Sequence, residues 1–154
     1  MSIYNTPLEE RFGEKLEELR EGKNMTREQL ADQVGLTARH IAALERGERR
    51  PTLNTMEKLL RTQFPDLASK YVRQFALLFL DLQKKCDSAE ISTKALDLRG
   101  MLDALRLIRR GIPAGAALDM GITNKAFDSY EQSLIRDVIA ARIPAKLDAA
   151  KLFG

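Results

Sequence analysis

Arg39, Arg46, Arg49 and Arg50 fall between Thr37 and Arg50, opposed there only by Glu45 and Glu48. Guanidinium groups donate charge-assisted hydrogen bonds suited to phosphate oxygens. No comparable excess exists nearby: residues 1 to 65 carry 11 Lys+Arg and 11 Asp+Glu. Six of those acids (Glu9, Glu10, Glu14, Glu17, Glu18, Glu21) lie in one early segment. A face that meets nucleic acid is therefore expected on the 37–50 stretch, with the acidic segment turned away. Other chemistry is poorly supplied. His40 is the single histidine and Cys86 the single cysteine. Neither sits in a pattern of Cys, His or carboxylates with metal-ligand spacing, and no paired catalytic constellation stands out. No Gly-x-x-x-x-Gly-Lys-[Ser/Thr] phosphate loop occurs. An enzyme is not expected, nor is a cofactor or a metal.

The arginines need rigid elements to aim them, and the local pattern supplies two short amphipathic helices meeting at Gly35. Thr26 is expected to cap the first, with Gln29 as its capping-box partner, and Leu30, Ala31 and Val34 face inward. Gly35 provides the positive φ of the turn. Thr37 caps the second helix, whose inner face is Ile41 and Leu44, and Gly47 stops it. Two helices so joined form a helix-turn-helix, in which the second presents its outer face to a DNA major groove.

Almost everything else also reads as helix. One helix is expected from about Pro7 to Glu21, capped by Thr6, with Leu8, Phe12, Leu16 and Leu19 on one face. Another carries Leu53, Met56, Leu59 and Leu60 and breaks at Pro65. From Asp66 to about Lys85 a longer helix is apolar on more than one side, which predicts cover on two sides, one of them a second subunit. Val72, Phe75, Leu78, Phe79 and Leu82 are its dimerisation candidates. Lys84 to Ile91 is polar and reads as a linker. Helices then follow from Ser92 to about Arg110, from Pro113 to Met120, from Asn124 to Arg142 and from Pro144 to Leu152. The expected division is 1–65, a DNA-binding domain; 66–87, a connecting or dimerisation helix; and 88–154, a helical oligomerisation or partner-binding domain. The longest uninterrupted apolar run, Phe75 to Leu80, is too short to cross a bilayer. With 154 residues, net charge +3, one cysteine and no apolar leader, a cytoplasmic all-α protein is expected.

Residues 12 to 60 resemble the Cro/C1-type (XRE-family) helix-turn-helix domain of phage repressors. The likeness is carried by Leu16-x-x-Leu19-Arg20, by Met25-Thr26-x-x-x-Leu30-Ala31-x-x-x-Gly35-Leu36-Thr37, and by Ile41-x-x-Leu44-Glu45-Arg46-Gly47-x-Arg49-x-Pro51-x-Leu53. It implies an N-terminal five-helix, lambda-repressor-like bundle followed by a C-terminal helical bundle, and binding of double-stranded operator DNA as a homodimer. It also implies roles by position. Ala38, Arg39, Ala42 and Ala43 would meet base edges, Arg39 through guanine O6 and N7 and the alanines through thymine methyls. Thr26, Arg27, Thr37, His40, Arg46, Arg49 and Arg50 would meet phosphates. Glu45 is expected to bond within the motif, since a carboxylate repels phosphate. The alanines depart from the long polar residues often found there, which shifts weight toward phosphate contacts and DNA shape.

The spacing Ala117-x-x-x-Gly121-x-x-x-x-x-Phe127-x-x-Tyr130 fits a second helix-turn-helix or a plain helical hairpin turning at glycine. Ile91 to Leu96 and Arg106 to Pro113 resemble the C-terminal helical segment of MoxR/CbbQ-type AAA+ ATPases, without their phosphate loop. The function expected is a dimeric transcriptional repressor occupying a near-palindromic operator. The alternative is an antitoxin or adaptor whose C-terminal module binds a protein partner while the helix-turn-helix tethers it to DNA.

Overall fold

The computed structural model describes residues 7–153. Thr6, the expected first cap, lies outside the described residues. Within them the chain forms α1 (Leu8–Gly22), α2 (Arg27–Val34), α3 (Ala38–Glu45), α4 (Leu53–Gln63), α5 (Ser69–Asp87), α6 (Leu98–Arg109), α7 (Ala114–Gly121), α8 (Ser129–Arg142) and α9 (Ala149–Phe153), with no strand. The protein is all-α, an N-terminal helix-turn-helix followed by further helices, as expected.

Local chemistry sets the first elements. Glu9 and Glu10 in the first turn of α1 and Arg20 in its last complement the helix dipole. At the start of α2 the Gln29 N–H donates to Thr26 Oγ1 at 3.1 Å and the Thr26 N–H donates to Gln29 Oε1 at 2.8 Å. This reciprocal box satisfies two N–H groups that the helix leaves open. Gly35 adopts φ 79°, the left-handed turn that reverses the chain into α3. Thr37 Oγ1 then accepts from the His40 N–H at 3.0 Å. Thr52 caps α4 by accepting from the Thr55 N–H at 3.2 Å, a cap not anticipated from the sequence.

The glycine at position 13 has a packing role. A Cβ there would lie 2.4 Å from the Leu44 carbonyl oxygen and 2.6 Å from that of Glu45. Helix α1 therefore rests directly on the backbone at the end of α3.

The apolar stripe of α5 is covered by its own chain. Val72, Phe75, Leu78, Phe79 and Leu82 are all buried, none more than 2% exposed. Phe79 meets Phe12 of α1 edge-on at 6.0 Å, and α4 and α8 pack alongside α5. This corrects the expected dimerisation stripe: those five side chains are covered within one copy, while Leu77 and Leu80 stay half-buried. Nor does the packing break at residue 65 or 87. One hydrophobic core runs from Leu8 to Leu152.

Two expected long helices are each divided. The stretch after Ser92 forms a short 3-10 turn, Thr93–Ala95, before Asp97 restarts the chain as the cap of α6. Asp97 accepts from the Gly100 N–H at 2.7 Å and pairs with Arg11 and Lys125 at 3.4 and 3.3 Å. Those contacts hold it extended. The expected helix from Asn124 is likewise cut, because Asp128 caps α8 through the Glu131 N–H at 2.8 Å. Phe127 and Tyr130 consequently stand 57% and 72% exposed rather than in the core. Gly121 does not serve as a turn glycine of a second helix-turn-helix. It is the last residue of α7, without the left-handed φ of Gly35, and a Cβ on Gly100 would lie 2.2 Å from its carbonyl oxygen. It is a crossing point of α6 and α7. The C-terminal segment closes this half: the Ala114 N–H donates to Leu147 at 2.8 Å, and Arg109 stacks between Phe64 and Phe153 at 4.9 and 4.8 Å.

Gly13 and Gly22 separate contact from propensity. Gly13→Ala is expected to cost about 2–3 kcal/mol, since backbone must move to admit a methyl. Gly22→Ala, with open space around it, is expected to be neutral or stabilising by up to about 1 kcal/mol. Urea unfolding of the two variants measures both.

Candidate nucleic-acid interface

Helix α3 is anchored from below by Ile41 and Leu44, both fully buried, and at its end by Glu45. The Glu45 side chain is wholly buried, yet it is not an orphan charge. Arg20 of α1 donates to it through Nε at 2.7 Å and Nη2 at 3.0 Å, and Arg27 of α2 donates through Nε at 3.0 Å. Arg20 also donates to the Met25 carbonyl at 2.9 Å. One carboxylate thus joins the first three helices, which agrees with the internal role expected for Glu45.

Burial alone would push the Glu45 carboxyl up, but the hydrogen bonds from Arg20 and Arg27 outweigh it and hold the group below its ordinary range. The Glu45 hydrogen bond in turn raises Arg20 against the opposing effect of burial.

The opposite side of α3 faces solvent. Thr37, Arg39, His40, Ala42, Ala43, Arg46, Glu48 and Arg49 line one shallow groove. Thr37, Arg39, Arg46 and Arg49 are exposed, whereas Ala38, His40, Ala42 and Ala43 are half-buried. Among the described residues, no hydrogen bond or ion pair engages the guanidinium of Arg39, Arg46 or Arg49. Burial lowers the His40 pKa, and the charges of Arg49 and Lys58 lower it further.

The remaining expected phosphate contacts divide by partner. Thr26 and Thr37 use their oxygens as cap acceptors, which leaves each hydroxyl hydrogen available to donate. Arg27 is tied through Nε to Glu45. Arg50 is fully engaged: it pairs with Glu9 of α1 and, bidentately at 2.7 and 2.8 Å, with Asp87 at the end of α5. The amino end of the acidic helix is accordingly not turned away from this region. Glu9 reaches Arg50, and Glu10 packs near Gly47.

Three residues here escape a reading of the sequence. Arg20 and Gly13 set α3 in place, and Lys58 of α4 lies beside the turn, its Nζ donating to the Gly35 carbonyl at 3.0 Å. Arg20 falls inside the quoted motif, but nothing in its spacing reveals its partner. Lys58 is separated from the turn by 23 residues of sequence. Elsewhere, burial pushes the Cys86 thiol up to about 12, which makes it a poor nucleophile. The described residues hold no metal-binding cluster, and none of their helices is long and apolar enough to cross a membrane.

Residues 16–62 match the Helix-turn-helix family. The matched stretch runs from the second half of α1 to the end of α4 and contains the Arg20–Glu45–Arg27 cluster and the groove. The match supports an XRE-type, DNA-binding helix-turn-helix in this part of the chain. No curated protein and no solved structure matches the chain. The likeness of residues 91–113 to the MoxR/CbbQ-type segment gains no support.

Glu45→Gln tests the cluster. A folded-state pKa below the unfolded value contributes stability that is present above the ordinary carboxylate range and lost as pH falls through the folded value. The variant is expected to lose about 3 kcal/mol at pH 7. Its deficit against the wild type should shrink steadily between pH 5 and 3, as followed by denaturant titration.

Proposed function

We propose that this protein is a sequence-specific, double-stranded-DNA-binding transcriptional regulator that inserts α3 into the major groove. The observation that carries this reading is the groove along α3, where three guanidinium groups stand without partners among the described residues inside a matched helix-turn-helix. Guanidiniums with no internal bond to break exchange only water for phosphate oxygens on meeting DNA.

Arg39 is assigned to guanine, where its fork meets O6 and N7. Ala38, Ala42 and Ala43 give apolar contact with thymine methyls. Arg46, Arg49, Thr26, Thr37 and His40 hold phosphates, and Lys58 extends that basic edge. Regulation follows from occupancy: a protein seated on a promoter blocks its use, which makes it a repressor. Two copies on a near-palindromic operator would lie one helical turn, ~34 Å, apart. With the α5 stripe buried, copies would touch through other surfaces. Its place of action is the compartment that holds the DNA.

A second reading is an antitoxin or adaptor whose C-terminal half grips a protein while the helix-turn-helix autoregulates on DNA. It is favoured by the exposure of Met120, Phe127 and Tyr130, which is 55% or more for each. A stoichiometric protein partner that co-purifies through this region and dissociates on Tyr130→Asp would select it.

Selection of bound duplexes from a random pool tests the first reading. The wild type should enrich a defined motif. Arg39→Ala should weaken binding by ~1–3 kcal/mol and relax one base position. Arg49→Ala should weaken all sequences alike and lower the salt slope by about 0.9. An unchanged motif and affinity for Arg39→Ala would remove its assigned role.

His40 supplies an independent check. A neighbouring phosphate favours the charged imidazole, so its pKa rises in the complex and DNA binding takes up a proton. Affinity should therefore increase as pH falls from 7.5 to 5.5, and His40→Gln should flatten the profile in the same fluorescence titration.

A further inference from the structure

We propose that Glu9 and Asp87 compete with the DNA backbone for Arg50, so that these two carboxylates set how tightly the duplex is held. The proposal rests on the DNA-binding reading above.

Arg50 follows Arg49, which lines the groove, and lies in the turn beyond α3. All three of its guanidinium nitrogens are occupied. Nε donates to Glu9, and Nη1 and Nη2 donate to the two oxygens of Asp87 at 2.7 and 2.8 Å. A guanidinium fork fits a carboxylate and a phosphate with the same geometry, so the two ligands are chemical substitutes. Among the described residues, Arg39, Arg46 and Arg49 face no such competition.

Exposure decides that the exchange is feasible. The side chains of Arg50, Asp87 and Glu9 are 38%, 49% and 27% exposed. Ion pairs reached by water and salt contribute little net stability and are readily exchanged. Phosphate brings the further drive of counterion release. The contrast lies within the same motif: Glu45 is wholly buried under Arg20 and Arg27, and no outside anion can replace it.

The local charge also matters. Two carboxylates around one guanidinium leave a net negative site at the edge of a positive groove. An approaching phosphate must draw Arg50 out or face that surplus. Moving Arg50 would also cut a tie between the α3 turn and the end of α5, because Asp87 holds its only bidentate contact.

Removing acids near DNA raises affinity through the general field as well, so the test needs a cycle. Wild type, Arg50→Gln, the pair Glu9→Gln with Asp87→Asn, and the triple variant are titrated with one selected duplex across ionic strength. The pair is expected to bind several-fold tighter than wild type, with the log K against log salt slope steeper by about 0.9. In the Arg50→Gln background the same two substitutions should leave the slope unchanged and yield a smaller gain. Equal gains with and without Arg50, at one slope, would show only the general field and overturn the competition. Absence of wild-type binding even at low salt would instead overturn the DNA-binding reading. Circular dichroism melting checks folding. If the pair does not fold, the single substitutions Glu9→Gln and Asp87→Asn complete the cycle on the same criterion.

Discussion

A carboxylate enclosed by two arginines is the constraint on which the DNA-facing surface depends. Glu45 ends α3, and its two oxygens are taken by Arg20 from α1 and Arg27 from α2. An unpaired carboxylate with its side chain fully buried would carry a desolvation penalty of several kcal/mol, a large share of a small domain's stability. The three helices are therefore obliged to meet where they do. Gly13 makes the geometry reachable, because α1 can approach the backbone of α3 only with no side chain between them. With the inner face of α3 secured by Ile41, Leu44 and Glu45, its outer face is left to solvent, and Arg39 with it.

The same logic sorts the arginines into two groups. Arg20, Arg27 and Arg50 have carboxylate partners within the protein, buried for the first two and open to water for the third. Arg39, Arg46 and Arg49 have none among the described residues and line one groove. A modest overall charge of +3 conceals this division. What a duplex would meet is the set of cations that the protein does not itself neutralise, which differs from the set a count of residues suggests.

The C-terminal half is built into the same core rather than appended to it. Asp97 caps α6 while pairing with Arg11 of α1, and Arg50 reaches Asp87. Phe79 on Phe12 and Arg109 between Phe64 and Phe153 add apolar ties across the chain. Within this continuity α1, α4 and α8 cover the Val72–Phe75–Leu78–Phe79–Leu82 stripe of α5.

The sequence by itself determined the helix-turn-helix. Its signals are local: the Thr26–Gln29 box, the left-handed Gly35, the Thr37 cap and the Ile41–Leu44 face all act within a few residues, so spacing alone reveals them. The solvent side of α3 and the internal duty of Glu45 were legible for the same reason. Tertiary structure alone decided what lies across long sequence separations. The partner of Arg50 is 37 residues away in Asp87, and that of Arg20 is 25 away in Glu45. An apolar helix looks the same in sequence whether its own chain or another covers it, so the burial of α5 had to be seen. The breaks at Asp97 and Asp128 stayed hidden because a helical period continues through them. Only the neighbours that Asp97 must satisfy, Arg11 and Lys125, show why the chain stops and starts again.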